Sequence, residues 1–132
     1  MSGMPAQGSG AAFRVGFRRG PALLRVQVNG ESNLENTVAY WRAIVEEFAR
    51  EPAASLLLID ELQGEPLTEG EWLSLVQQMA GQGLENARIA HVKPHGLQQI
   101  EYCEIFARDA GFNARVFDDE HAAELWLRYG ET

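Results

Sequence analysis

The run Ser55-Leu56-Leu57-Leu58-Ile59-Asp60 sets the tightest limit on how this chain folds. Four successive large aliphatic residues leave no polar face, so the segment needs apolar cover on both sides. It is too short for an amphipathic helix and far short of the ~20 residues of a membrane span. A strand inside a parallel sheet, with helices packed against it, meets that demand. Two later segments fit the same plan. Ala87 to Lys93 and Asn113 to Phe117 are apolar enough for strands, and each is followed by a helical pattern. Strand–helix units in succession imply largely parallel strands joined by right-handed crossovers.

Upstream of this run the apolar period is two. Phe13, Val15 and Phe17 alternate with Arg14, Gly16 and Arg18, and Leu24, Val26 and Val28 alternate with Arg25 and Gln27. The link Arg19-Gly20-Pro21 reads as a turn, and so short a link makes an antiparallel hairpin. Ser32 and Glu35 have capping-box spacing. Leu34, Val38, Trp41, Val45 and Phe48 then form one helical stripe, stopped by Pro52. Glu61 to Pro66 read as a polar, acidic loop. The next helix begins near Thr68 and carries Trp72, Leu75, Val76 and Met79. A third carries Leu97, Ile100, Cys103, Phe106 and Ala110, with Gly111 as its cap. The last follows Asp118 or Asp119 and presents Ala122, Leu125, Trp126 and Tyr129.

The expected architecture is one α/β domain over residues 13–130, in the order β-β-α-β-α-β-α-β-α. Its sheet is mixed but mostly parallel and is covered by helices. Residues 1–12 are small, Gly-rich and uncharged, so they are expected to form a flexible tail.

The charge balance narrows the partners. A formal net charge of −8 repels phosphate backbones and anionic lipid, so neither nucleic acid nor a membrane surface is expected as a partner. Cys103 is the single cysteine, which excludes an intramolecular disulfide and a Cys-rich zinc site. The N-terminus lacks the basic-then-apolar order of a secretory signal, and a cytoplasmic location is the default expectation.

Functional groups in an open α/β sheet gather at the carboxyl ends of the strands. Here those ends hold Asp60 to Thr68, Lys93 to Gly96 and Phe117 to Asp119. Thr68 and Glu71 have the spacing of a second capping box, which accounts for both residues structurally. A hydroxyl at a helix N-terminus is also a place where an added phosphoryl charge is stabilised, although Glu65, Glu69 and Glu71 oppose it. Asp60, Glu61 and Glu65 are carboxylates of the kind that bind Mg²⁺, but no acidic pair follows the first strand as a receiver-type site requires. A solvated acidic loop is the expected reading.

His91 and His95 fall on a strand and the turn after it, with no third ligand, so no metal site is expected. Cys103 lies on an apolar stripe and reads as a buried thiol, and Trp41, Trp72 and Trp126 read as core. No nucleophile–base set and no phosphate loop appear, so neither an enzyme nor a cofactor is expected.

The stretch Ala87 to Leu127, ARIAHVKPHGLQQIEYCEIFARDAGFNARVFDDEHAAELWL, runs as strand, helix closed by Gly, strand reading ARVF, acidic turn and final helix with Ala and Trp-Leu. With the element order, it resembles the STAS domain (sulfate transporter and anti-sigma-factor antagonist), particularly its SpoIIAA-like branch. The resemblance implies a non-enzymatic regulatory module in bacterial-type signal transduction, with an anti-sigma factor or kinase-like protein as partner and a homodimer as a compatible state. Family members that antagonise anti-sigma factors carry Asp-Ser-Ser/Thr-Gly at the start of the helix after the central strand, and its first Ser is phosphorylated by a partner kinase. Aligning Gly70 with the motif Gly puts Thr68 at that position and Glu69 at the next, while Leu67 stands in place of the Asp. The motif is therefore degraded. The resemblance implies a partner face of Asp60, Glu61, Glu65, Thr68, Glu69 and Glu71. The alternative is a small-ligand module for lipid or nucleotide, with an apolar pocket between helices and sheet near Trp72 or Trp126.

Overall fold

The computed structural model describes residues 13–94, 96 and 100–130. The tail expected over 1–12, and the readings of His95 and Leu97, lie outside the described residues. Strands β1 (Phe13–Gly20) and β2 (Leu23–Glu31) lead into helix α1 (Leu34–Arg50). Then come β3 (Ser55–Gln63), α2 (Glu69–Met79), β4 (Arg88–Val92), α3 (Glu101–Asp109), β5 (Asn113–Phe117) and α4 (Glu120–Tyr129). The five strands form one sheet in chain order, β1-β2-β3-β4-β5. β1 and β2 are antiparallel and every other neighbouring pair is parallel. The order and the mixed sheet are those expected from the sequence.

Strand parity divides the core in two. Leu24, Val26, Val28, Leu56, Leu58 and Ile89 meet α1, α2 and α3 on one face. Leu57, Ile59, Ala90 and Val92 meet Ala123, Trp126 and Leu127 of α4 on the other. The Leu56–Ile59 run is thus buried from both sides, which is why it shows no alternation. The cover is uneven, because α4 packs chiefly over β3, β4 and β5.

Four local expectations shift. The hairpin turn is Pro21-Ala22, because Arg19 and Gly20 still pair with Leu24 and Leu23. Ser32 does not cap α1. Its N–H donates to the Gln63 carbonyl (2.8 Å) and its hydroxyl to the Glu65 carbonyl (2.9 Å), so capping falls to Asn33, whose side chain accepts the Asn36 N–H (2.7 Å). α1 therefore buries Thr37, Tyr40, Trp41, Ile44 and Phe48, with Leu34, Val38 and Val45 at the rim.

β3 continues through Glu61 to Gln63, where the sequence suggests a loop, because β2 is long enough to pair with it as far as Glu31. In α4 the cap at Asp119 sets a register that buries Ala123, Trp126 and Leu127 and leaves Ala122, Leu125 and Tyr129 to solvent.

A buried Asp–His–Lys cluster and an acidic helix start

The two-residue repeat of β3 carries Leu56, Leu58, Asp60 and Leu62 to the three-helix face. In β4 it carries Ile89 and His91 to the same face, and Leu58 lies opposite His91 in the register. Asp60, His91 and Lys93 consequently meet at the carboxyl ends of the two strands. All three are buried, with exposures of 4%, 2% and 7%. The Asp60 Oδ2 atom lies 2.9 Å from His91 Nε2, and its Oδ1 accepts from Lys93 Nζ (3.2 Å) and the Leu62 N–H (3.1 Å). Lys93 Nζ also donates to the Leu62 carbonyl at 2.7 Å.

An ionised carboxylate only accepts, so His91 carries a proton on Nε2. The imidazole is enclosed by the indoles of Trp41 and Trp72, with ring centroids 6.3 and 6.1 Å away. Its Nδ1 has no hydrogen-bond partner among the described residues.

Burial pushes the Asp60 carboxyl up. The hydrogen bond and charge of His91, the Lys93 ammonium and the Leu62 N–H outweigh it and hold the group below its usual 3.8. The neighbours respond in the opposite sense. Tyr40 is driven well above 10.0, first by burial and then by the Asp60 charge. Cys103 is pushed up to about 12 by burial and by the charges of Asp60 and Glu104, so its thiol stays protonated at neutral pH. The expected buried thiol is found, as are the three buried tryptophans.

Above the cluster lies an open depression of about 530 Å³, lined by Asn29, Glu61, Gln63, Lys93, Pro94 and Gly96 among others. Gly96 closes against the Lys93 stem. A Cβ at position 96 would stand 3.1 Å from Lys93 Cγ and Cδ. The charged groups on its floor, Asp60 and Lys93, are bonded to one another. Between the helices and the sheet the free space is apolar, bordered by Trp41, Met79, His91, Cys103 and Phe112, and amounts to about 40 Å³.

The six residues expected to form one face are found in three places. Asp60 is inside and cannot meet a partner. Glu61 points to the α4 side of the sheet, where its Oε1 accepts from Gln27 Nε2 (2.8 Å) and Asn29 Nδ2 (2.9 Å). Glu65, Thr68, Glu69 and Glu71 remain together at the start of α2, where all but the half-buried Glu71 are exposed. There the capping box is complete. Thr68 Oγ1 accepts the Glu71 N–H (3.2 Å) and Glu71 Oε1 accepts the Thr68 N–H (2.9 Å). Leu67 is buried and anchors the loop, a task for which an Asp would be unsuited.

Among the described residues no group of His, Cys, Asp or Glu side chains is arranged to hold a metal ion, and no helix is long and apolar enough to cross a membrane. The architecture defines a small α/β domain with a mixed five-stranded sheet. No protein-family model matches the chain, and no curated protein sequence matches it.

Proposed function

We propose that this chain is a non-enzymatic, STAS-like regulatory module that acts in the cytoplasm by binding a protein partner through the exposed start of α2. The observation that carries the reading is the acidic, fully capped helix start at Glu65, Thr68, Glu69 and Glu71, beside a strand-end depression whose own charges are internally paired. A capped N-terminus is rigid, and rigid exposed charge gives orientation and fast encounter rather than chemistry. The partner is a basic surface on an anti-sigma-factor-like or kinase-like protein. Thr68 works here as the cap, and Glu69 supplies fixed negative charge at the adjoining position.

Calorimetric titration of the purified chain against such a protein tests the proposal. E65K/E69K should weaken binding on the order of tenfold, as expected for charge reversal at an interface rim. Unchanged affinity in that variant would remove the face from consideration, and absence of binding to either class of partner would remove the reading. The small-ligand alternative has weaker support. Drug-sized ligands occupy about 300–1,000 Å³ of largely apolar pocket, whereas the apolar space beside Trp41 and Cys103 is about 40 Å³.

A further inference from the structure

β1 is an edge strand, paired with β2 on one side and with no strand on the other among the described residues. It pairs continuously from Phe13 to Gly20 without a bulge and contains no proline, so neither of these devices blocks its outer edge from another strand. Its two faces differ sharply. Phe13 and Val15 lean on the three-helix core, and Phe17 continues that row at 39% exposure. On the opposite face stand Arg14 and Arg18, both exposed, with Gly16 between them and open space where its Cβ would be.

On that side α4 packs chiefly over β3, β4 and β5, and among the described residues no hydrogen bond or ion pair engages either arginine. Arg18 lies directly across from Arg25, a like-charge pair that costs stability unless an anion joins it. Arg25 already has a carboxylate, Glu120, at 2.9 Å. Four arginines and no carboxylate fall between Phe13 and Gly30, in a chain whose net charge is −8.

We propose that the β1 edge is a docking site for an extended segment of a partner protein in which acidic and apolar residues alternate. The segment adds to β1 as a further strand. Its backbone satisfies the free edge, its carboxylates face Arg14 and Arg18, and its apolar residues extend the row that ends in the half-open Phe17. The charges also select against the obvious competitor. An antiparallel β1–β1 pair of two copies centred on Gly16 would set Arg14 against Arg18, like charge on like. Nucleic acid fits poorly for a different reason. The two arginines span only about 13 Å, and a phosphate backbone running past them meets an acidic protein. This edge is separate from the acidic start of α2, so the two proposals stand or fall independently.

The test uses the full chain and a fluorescein-labelled Glu-Val repeat peptide, followed by anisotropy. Binding should saturate, weaken as salt rises, and fall on the order of tenfold in R14E/R18E. It should be unchanged in E65Q/E69Q. Because both arginines are exposed and Arg18 faces Arg25, the double variant should melt at or slightly above the wild-type temperature, and R14Q/R18Q should give an intermediate loss of binding. Amides of β1 should gain hydrogen-exchange protection, and a peptide N-methylated at alternate residues should lose affinity. Any one of five results would overturn the proposal: no saturable binding, equal binding by R14E/R18E, equal binding by the N-methylated peptide, equal binding of oligothymidylate, or a chain dimer that R14E/R18E dissolves.

Discussion

Asp60 shows how far one residue's role depends on what a sheet brings beside it. Paired and buried, its carboxylate balances the Lys93 ammonium. Removing one charge of such a pair leaves the other uncompensated in a poor solvent, which typically costs 3–5 kcal/mol. D60N should therefore destabilise the protein by about 3 kcal/mol in urea unfolding. Adding K93M to D60N should recover part of that loss, and a strictly additive double mutant would show that the pair is not coupled. A smaller effect is expected at Ala22, which sits at φ 59° in the hairpin turn. The left-handed region costs a residue with a Cβ about 1–2 kcal/mol, part of which glycine gives back through unfolded-state entropy. A22G should raise stability by about 0.5 kcal/mol, read from the urea midpoint. The sequence shows Asp60 at the end of an apolar run and His91 two residues before Lys93. The parity of those positions already puts His91 and Lys93 on the face of Ile89. What the sequence lacks is the β3–β4 register, a property of two distant segments, and without it Asp60 reads as part of a solvated loop.

Elements are more legible than clusters because their information is local. The α2 start is the clearest case. The Thr68–Glu71 spacing is enough to specify a capping box, and both of its hydrogen bonds are present. T68A should cost about 1 kcal/mol and T68S much less, as thermal unfolding would report. If T68A is neutral, the cap contributes nothing measurable and the rigidity assigned to this helix start is lost. The α1 start misleads by one residue. The spacing of Ser32 and Glu35 is equally good, but Ser32 is held by Gln63 and Glu65, so tertiary contacts decide between two competent caps. In α4 the error is angular. Ala122 and Leu125 are as apolar as Ala123 and Leu127, and the face that packs is fixed by the cap at Asp119 and by where the sheet lies. The extension of β3 to Gln63 is likewise decided elsewhere, by the length of β2 and the amides that meet Glu61.

For the whole molecule, the titrating groups of one buried neighbourhood set the pH range of stability from opposite ends. The Asp60 carboxyl titrates below its unfolded value of 3.8. Its contribution is therefore complete above that pH and is lost as pH falls through the lower folded value. Cys103 titrates near 12 against an unfolded value of 9.0, and Tyr40 well above 10.0. For these groups the folded state retains a proton that the unfolded chain releases. Their contribution is whole below pH 9 and disappears as pH rises beyond it. Through these groups unfolding free energy should fall as pH drops below about 4 and again as it rises above about 9. D60N should flatten the acid limb and also make the alkaline one somewhat shallower, because the Asp60 charge helps to raise both Tyr40 and Cys103. C103A should make the alkaline limb shallower, since a displacement of this size corresponds to on the order of 4 kcal/mol when fully expressed. Urea melts across the pH range measure both slopes. A C103A protein that loses stability above pH 9 as steeply as the parent would mean that the thiol is hydrated, and with it that the packing of α3 against Trp41 and His91 is looser than its geometry implies.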